Sequence, residues 1–259
     1  MVKGLYTAYT GLINEQNRMD IMTNNLANAS TVGFKKEGST SQSFDDVLTV
    51  KIKDSSVGMR NAQKLGVRNP GVKIGENYTD YSQGSFRITG NTYDIALSGE
   101  GFFAVEFTNK AGETSTMYTR AGQFTLNKDG YLVTQEGDYV LDIQNKRIKL
   151  DTLADSAIGS DGTISQNQKP VAQIQVVDFA DYDYLEKYGE TYFTPIEGAE
   201  MIEADATFNS GYLEMSNVQI VSEMVNMISI TRAYESNQKI VQTYDDTLKV
   251  AVTELGRLR

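Results

Sequence analysis

The sequence predicts an α+β protein with N- and C-terminal helices paired as a coiled-coil domain and a central all-β domain. Three observations predict it. Apolar residues recur every seven positions near both chain ends, and Gly-, Thr-, Tyr- and Val-rich segments with regularly spaced turns fill the middle. The three prolines all lie between these ends. A seven-residue apolar repeat is the mark of a helix that buries one narrow face, whereas short alternating runs between turns mark strands.

At the N-terminal end, Leu5, Leu12, Met19 and Leu26 form the repeat, with Ala8 and Met22 beside it and Gly11 the only glycine from Leu5 to Ala27. The stripe is imperfect because Glu15 falls where an apolar residue is expected. The helix is expected to stop near Asn28–Thr31, ahead of Gly33 and Phe34. At the C-terminal end, Met227, Tyr234, Val241, Leu248 and Leu255 repeat every seven residues, flanked by Met224 and Val252, without Gly or Pro from Asn217 to Leu255. Ser216 and Gln219 fit a capping box at the start. Such a helix is on the order of 60 Å long, longer than a small core covers, so it needs another helix from its own chain or from a neighbour. Ile220, Val221, Ile228 and Ile230 fall off the main repeat, an apolar excess that favours packing against other subunits.

Between the ends, Phe124–Leu126, the turn Asn127–Gly130 and Tyr131–Thr134 read as strand, turn, strand. A further turn leads to Tyr139–Leu141, Asp161-Gly162 marks another, and Val171–Phe179 reads as one strand. The expected partition is a coiled-coil domain from 1–34 plus 210–259, an extended arm or linker over 35–75, and a β domain over 76–209.

Composition excludes several chemistries. The 259 residues include no Cys and no His, so no disulfide, thiolate site or histidine-based catalytic arrangement is available. The net charge of -10 argues against binding nucleic acid or an anionic membrane surface. No apolar run approaches the ~20 residues of a membrane span, so no membrane insertion is expected. Targeting signals alone suggest a cytoplasmic chain, although a cysteine-free protein also tolerates an oxidising exterior.

The remaining chemical candidates read as structure. Gly99-Glu100-Gly101 matches a relaxed dinucleotide fingerprint, but strand-like Phe102-Phe103-Ala104-Val105 follows where a helix is required, so a tight turn between strands is expected. Asp178, Asp181, Asp183 and Glu186 lack the glycine and terminal Glu spacing of a calcium loop. The 15 tyrosines suit half-buried strands as well as a sugar-stacking surface. No catalytic, metal or cofactor site is expected. The alternative is a secreted carbohydrate-active or wall-acting protein using the acidic, tyrosine-rich β domain.

Three separated motifs, in order, resemble the bacterial flagellar rod and hook family. The first is Asn24-Asn25-Leu26-Ala27-Asn28-Ala29-Ser30-Thr31-Val32-Gly33-Phe34-Lys35. The second is Asp94-Ile95-Ala96-Leu97-Ser98-Gly99-Glu100-Gly101-Phe102-Phe103, continued by Tyr118-Thr119-Arg120-Ala121-Gly122-Gln123-Phe124. The third is Ser216-Asn217-Val218, Glu223–Ile228 and Arg232-Ala233-Tyr234-Glu235. Where the family often has Pro before the mid-chain Asp, this chain has Tyr93. The resemblance implies a non-enzymatic subunit of a helical homopolymer, the shaft that transmits torque from motor to hook. It implies contacts with other rod and hook proteins, export through the flagellar type III apparatus, and a place in the basal body outside the cytoplasmic membrane. Length and the Glu223–Ile228 stretch fit the distal-rod type better than the proximal. The expected assembly residues are Leu5, Leu12, Met19, Leu26, Met224, Met227, Tyr234, Val241, Leu248 and Leu255, with Asn24, Asn25 and Asn28 making polar contacts at the helix end.

Overall fold

A computed structural model describes residues 2–51, 63–109 and 112–257. Contacts divide the chain into two compact units. One holds residues 1–26, 37–79 and 220–259, and the other 27–36 and 80–219.

The helical unit contains α1 (Val2–Ala27) and α2 (Ile220–Arg257). The first helix ends where the sequence predicts. The Thr31 amide donates to the Asn28 carbonyl at 3.2 Å and Gly33 adopts φ +69°, a left-handed conformation that favours glycine. The second starts later than the capping box implies, because Ser216 Oγ accepts from the Val218 amide at 3.2 Å and shapes a turn before the helix. At 38 residues, α2 is about 57 Å long. The chain between the helices, within this unit, forms strands β1 (Lys36–Ser43), β2 (Val47–Lys51), β3 (Gln63–Arg68) and β4 (Val72–Asp80). The β1 strand pairs with β4 and β2 with β3, so the segment expected to be an extended arm carries two-stranded ladders. Residues 52–62 of that arm lie outside the described residues.

The β unit begins with β5 (Phe86–Ile88), β6 (Ile95–Gly99), β7 (Phe102–Thr108) and β8 (Thr114–Thr119). Gly99 ends β6 and Phe102 opens β7, giving the strand–turn–strand reading of the Gly99–Gly101 motif. The main sheet is antiparallel, with β7 pairing with β8, Tyr139–Val140 and Val176–Phe179. Phe103 and Val105 point into a core with Ile95, Leu97, Phe124 and Leu132. Phe102 and Ala104 point the other way, toward Tyr118, Phe179 and Phe193. Both faces of β7 are buried, which is why its sequence is an unbroken apolar run and not an alternating one. Of the predicted strands Phe124–Leu126 and Tyr131–Thr134, the second begins one residue later, at Leu132, and the two pair with Leu132 opposite Leu126. The single strand expected over Val171–Phe179 is instead two. Lys169–Gln173 pairs with Thr163–Gln166, while Val176–Phe179 joins β7. Continuous apolar spacing conceals this change of partner.

One buried polar contact ties this sheet to pH. Tyr192 donates its hydroxyl to Asp138 Oδ2 at 2.7 Å. Burial, then the Asp138 carboxylate, holds its pKa well above the ordinary phenol value of 10. A raised folded-state pKa contributes stability that is present below the unfolded value and lost as pH rises above it. The difference in urea midpoint between the wild type and Tyr192→Phe is therefore expected to be constant up to about pH 10 and to shrink beyond it. An unchanged difference in alkali would remove this role for Tyr192.

Candidate assembly interface

Within the helical unit α1 and α2 run antiparallel. A side chain at Gly4 would overlap the Tyr244 hydroxyl, and one at Gly11 would come within 2.9 Å of Asn237 Nδ2. Moving seven residues along α1 thus moves the contact seven residues back along α2, the signature of a heptad seam. A cavity of about 110 Å³ lined by Glu15, Arg18, Asn226 and Ile230 continues the line. On α2, Glu223, Met227, Ile230, Tyr234, Asn237, Val241 and Tyr244 are covered at spacings that alternate between four and three, and Thr231, Ala233 and Ala251 are also half-buried. The predicted repeat thus captured one of the two seam rows. The other mixes Glu223 and Asn237 with Ile230 and Tyr244, and the polar members hide it from an apolar-periodicity search. Ile230, expected off the seam, is 3% exposed and lies in it.

The predicted residues separate by environment. Leu5, Leu12, Met19, Leu26, Met227, Tyr234 and Val241 are half-buried. Met224 is 51% and Leu248 41% exposed. Leu255 lies in α2, but its side chain falls outside the described ones. Asn25 is buried and grips the backbone of β1, donating to the Glu37 carbonyl at 2.7 Å and accepting from the Glu37 amide at 2.9 Å. Asn28 is buried and accepts the Thr31 hydroxyl at 3.0 Å, while Asn24 is exposed.

Three stretches leave apolar surface uncovered. Beyond Tyr244, which stands opposite Gly4, α2 exposes Leu248, Val250 and Val252. At the other end of α2, Ile220, Val221, Met224, Val225 and Ile228 form one face averted from the seam, with Val221 76% exposed. On α1, Tyr6, Tyr9 and Ile13 are likewise exposed at helical spacing.

In the β unit a buried ion cluster lies where three segments meet. Glu214 Oε1 accepts from Lys35 Nζ at 2.8 Å and from the Gly84 amide at 2.9 Å. Its Oε2 accepts from Arg120 Nη1 at 3.4 Å. The Glu214 carbonyl takes the Gly33 amide at 2.9 Å. Gly33 is required here, since a Cβ would sit 2.7 Å from Ala121 Cα. Asn217 completes the junction, accepting from the Lys36 amide at 2.8 Å and donating to the Asp80 carbonyl at 2.7 Å. Burial pulls the Lys35 ammonium below its ordinary value despite Glu214, so desolvation outweighs the attraction.

Two of the four acidic-cluster carboxylates accept hydrogen bonds from within the cluster segment. Asp178 accepts the Tyr182 hydroxyl at 2.8 Å, and Asp181 accepts the Asp183 amide at 3.0 Å. Among the described residues, no three acidic side chains are grouped to hold a metal ion.

Comparison with known proteins follows the same three segments. A flagella basal body rod protein model matches residues 5–35, a flagellar hook protein FlgE/F/G D1 domain model matches 96–166, and a flagellar basal body rod FlgEFG protein C-terminal model matches 209–254. The flagellar basal-body rod protein FlgG of Bacillus subtilis is 35% identical, covering 97% of this chain and 98% of its own. The chain belongs to the flagellar basal-body rod protein family. FlgF of Caulobacter vibrioides is 34% identical over the whole of both chains, and FlgG of the Buchnera of Schizaphis graminum 31% over 96% of this chain and 98% of its own. This rod protein is a structural subunit of the flagellar basal body. Each family segment contributes one member of the ion cluster: Lys35 from the first, Arg120 from the second and Glu214 from the third. Lys35 and Arg120 stand within sequence motifs, but no local pattern marks that they share a carboxylate 94 or more residues away.

Glu214→Gln, which leaves two buried cations without their counter-charge, is expected to lower unfolding free energy by about 3–5 kcal/mol. Adding Lys35→Met is expected to recover part of that loss. Urea unfolding of the single and double variants measures both, and equal stability of wild type and Glu214→Gln would refute the account.

Proposed function

We propose that this rod protein polymerises into a helical tubular shaft carrying torque from motor to hook, and that it works without catalysis. The observation that carries the reading is the uncovered apolar face Ile220–Val221–Met224–Val225–Ile228 on α2. A lone helix pair has nothing to place there, and burying such surface yields roughly 25 cal/mol per Å². Contacts that are not self-complementary propagate into an open helical filament. Met224 and Leu248 are proposed as contacts between copies. Leu5, Leu12, Met19, Leu26, Met227, Tyr234 and Val241 are proposed to supply the intrachain seam and to gain further cover in the polymer, and Leu255 is proposed as a contact between copies. Asn24, Asn25 and Asn28 are proposed to hold the end of α1 for those contacts. Other rod and hook proteins are proposed to meet the polymer at its ends, and the flagellar type III apparatus to export the subunit. The lack of His and Cys supports a non-catalytic role. Relatives of two names match at 35% and 34%, so the proposal concerns the rod as a whole and not one segment of it.

Electron microscopy with analytical ultracentrifugation tests it. Full-length protein is expected to form tubes or large oligomers as concentration rises. Val221→Asp with Val225→Asp, and separately Leu248→Asp, are expected to raise the critical concentration by more than about tenfold while β-unit melting stays unchanged. Normal filaments from both variants would reject the interface.

A further inference from the structure

We propose that the outer face of α1, Tyr6–Tyr9–Ile13, is the surface on which the exposed α2 face of a second copy docks, with the copies staggered by about 21 Å along the helix pair. The proposal rests on the polymer reading above and deepens it by naming the partner surface and the register. Tyr6 is 62% exposed, and Tyr9 and Ile13 are exposed beside it. At 3.6 residues per turn these three lie about half a turn around α1 from Gly4 and Gly11, which face α2. The turn before β4 flanks this face, where Thr7 Oγ1 donates to the Pro70 carbonyl at 3.2 Å, and leaves it open. On α2, Val221, Val225 and Ile228 likewise lie about half a turn from Ile230 and Asn237, which are in the seam. The helix pair thus carries its two apolar faces on opposite sides. A contact between them is head-to-tail, the kind that propagates.

The spacing of the two faces sets the register. Tyr6, Tyr9 and Ile13 follow one another by three and four residues, and so do Ile228, Val225 and Val221 read backwards. Antiparallel helices therefore bring Tyr6 to Ile228, Tyr9 to Val225 and Ile13 to Val221. Within one chain, where Gly4 faces Tyr244 and Gly11 faces Asn237, Ile228 is instead level with Asp20 and Val221 with Ala27. The two registers differ by two heptads, about 21 Å of helix. A shift by whole heptads keeps the same faces turned toward each other.

Charge and polarity single out this register and a second copy as its occupant. From Tyr6 to Ile13 there is no charged residue, and from Ile220 to Thr231 only Glu223, which is buried. Copies that each carry a net charge of -10 are therefore least opposed where these two faces meet. The polar continuation of each face also falls clear of the other. Gln16 and Asp20, next along the outer face of α1, stand beyond Ile220, where α2 begins. Arg232 and Glu235, next along α2, stand at or beyond Val2, where α1 begins. A stagger one heptad shorter would set Tyr6 against Glu235 and Asp20 against Val221. One heptad longer would carry Ile13 past the start of α2.

The chain has no Cys, so introduced thiols report without background. Full-length protein carrying Tyr9→Cys with Val225→Cys is brought to assembly concentration and oxidised with diamide, which takes up the two thiol hydrogens. Within one copy the two positions lie on opposite sides of the helix pair and two heptads apart in level, beyond the ~7 Å that a disulfide bridges between Cα atoms. A ladder of covalent multimers is expected from the double variant and only monomer from either single variant. Tyr9→Cys with Arg232→Cys, one heptad out of register, is expected to cross-link at least about tenfold less. Tubes without a ladder overturn this contact and leave the polymer reading intact. A ladder as strong from the Arg232→Cys pair overturns the register, and dimers from Tyr9→Cys alone overturn the head-to-tail arrangement. Covalent multimers without tubes keep the contact and sink the polymer reading, whereas neither tubes nor cross-links overturn both.

Discussion

The Glu214 carboxylate is the constraint on which the organisation of this chain depends. The polypeptide passes between its helical and β units at the stretches around residues 27–36, 80 and 219. Within the β unit these three stretches are tied to one place. Gly33 and Lys35 come from the first, Gly84 follows the second, and Glu214 and Asn217 precede the third. An apolar cluster would tolerate several registers of these segments. A carboxylate that accepts three donors, beside a carbonyl that accepts a fourth, admits one. The ion cluster adds little net stability because desolvation consumes the attraction, and the lowered pKa of Lys35 carries the same message. Its contribution is to specify which strand ends lie together.

The two units solve burial differently. In the β unit, β7 sends Phe103 and Val105 one way and Phe102 and Ala104 the other, so a single strand serves two apolar clusters. Interlocked rings such as Phe103–Phe124, at 5.1 Å and nearly perpendicular, fill that interior. The helical unit is leaner. Its seam includes glycines that let α2 approach, an Asn and a Glu–Arg pair at 3.1 Å. Much of its larger apolar surface lies outside the seam, on faces turned to solvent in the single chain. That distribution suits a subunit whose interior is completed by neighbours.

Polar side chains do positional work throughout. Asn25 holds both backbone groups of Glu37 and Asn14 reaches Ser41 at 3.1 Å, so β1 is registered on α1 by side-chain amides. An amide that both donates and accepts is direction-specific in a way that a leucine is not.

The sequence alone determined the fold class, the existence and near-full extents of both helices, the turn after Asn28, and the family, because heptad spacing, turn residues and contiguous motifs are local patterns. It also identified Ile220, Val221 and Ile228 as apolar excess. Tertiary structure decided what depends on partners distant in the chain. It placed Ile230 in the seam and Met224 outside it, revealed Glu223 and Asn237 as polar members of the second seam row, and split Val171–Phe179 between two strand partners. It also brought Lys35 and Arg120 to Glu214. A lysine in a motif looks the same whether it is solvated or buried against a carboxylate 179 residues later. Only the packing that removes water from both makes them a pair.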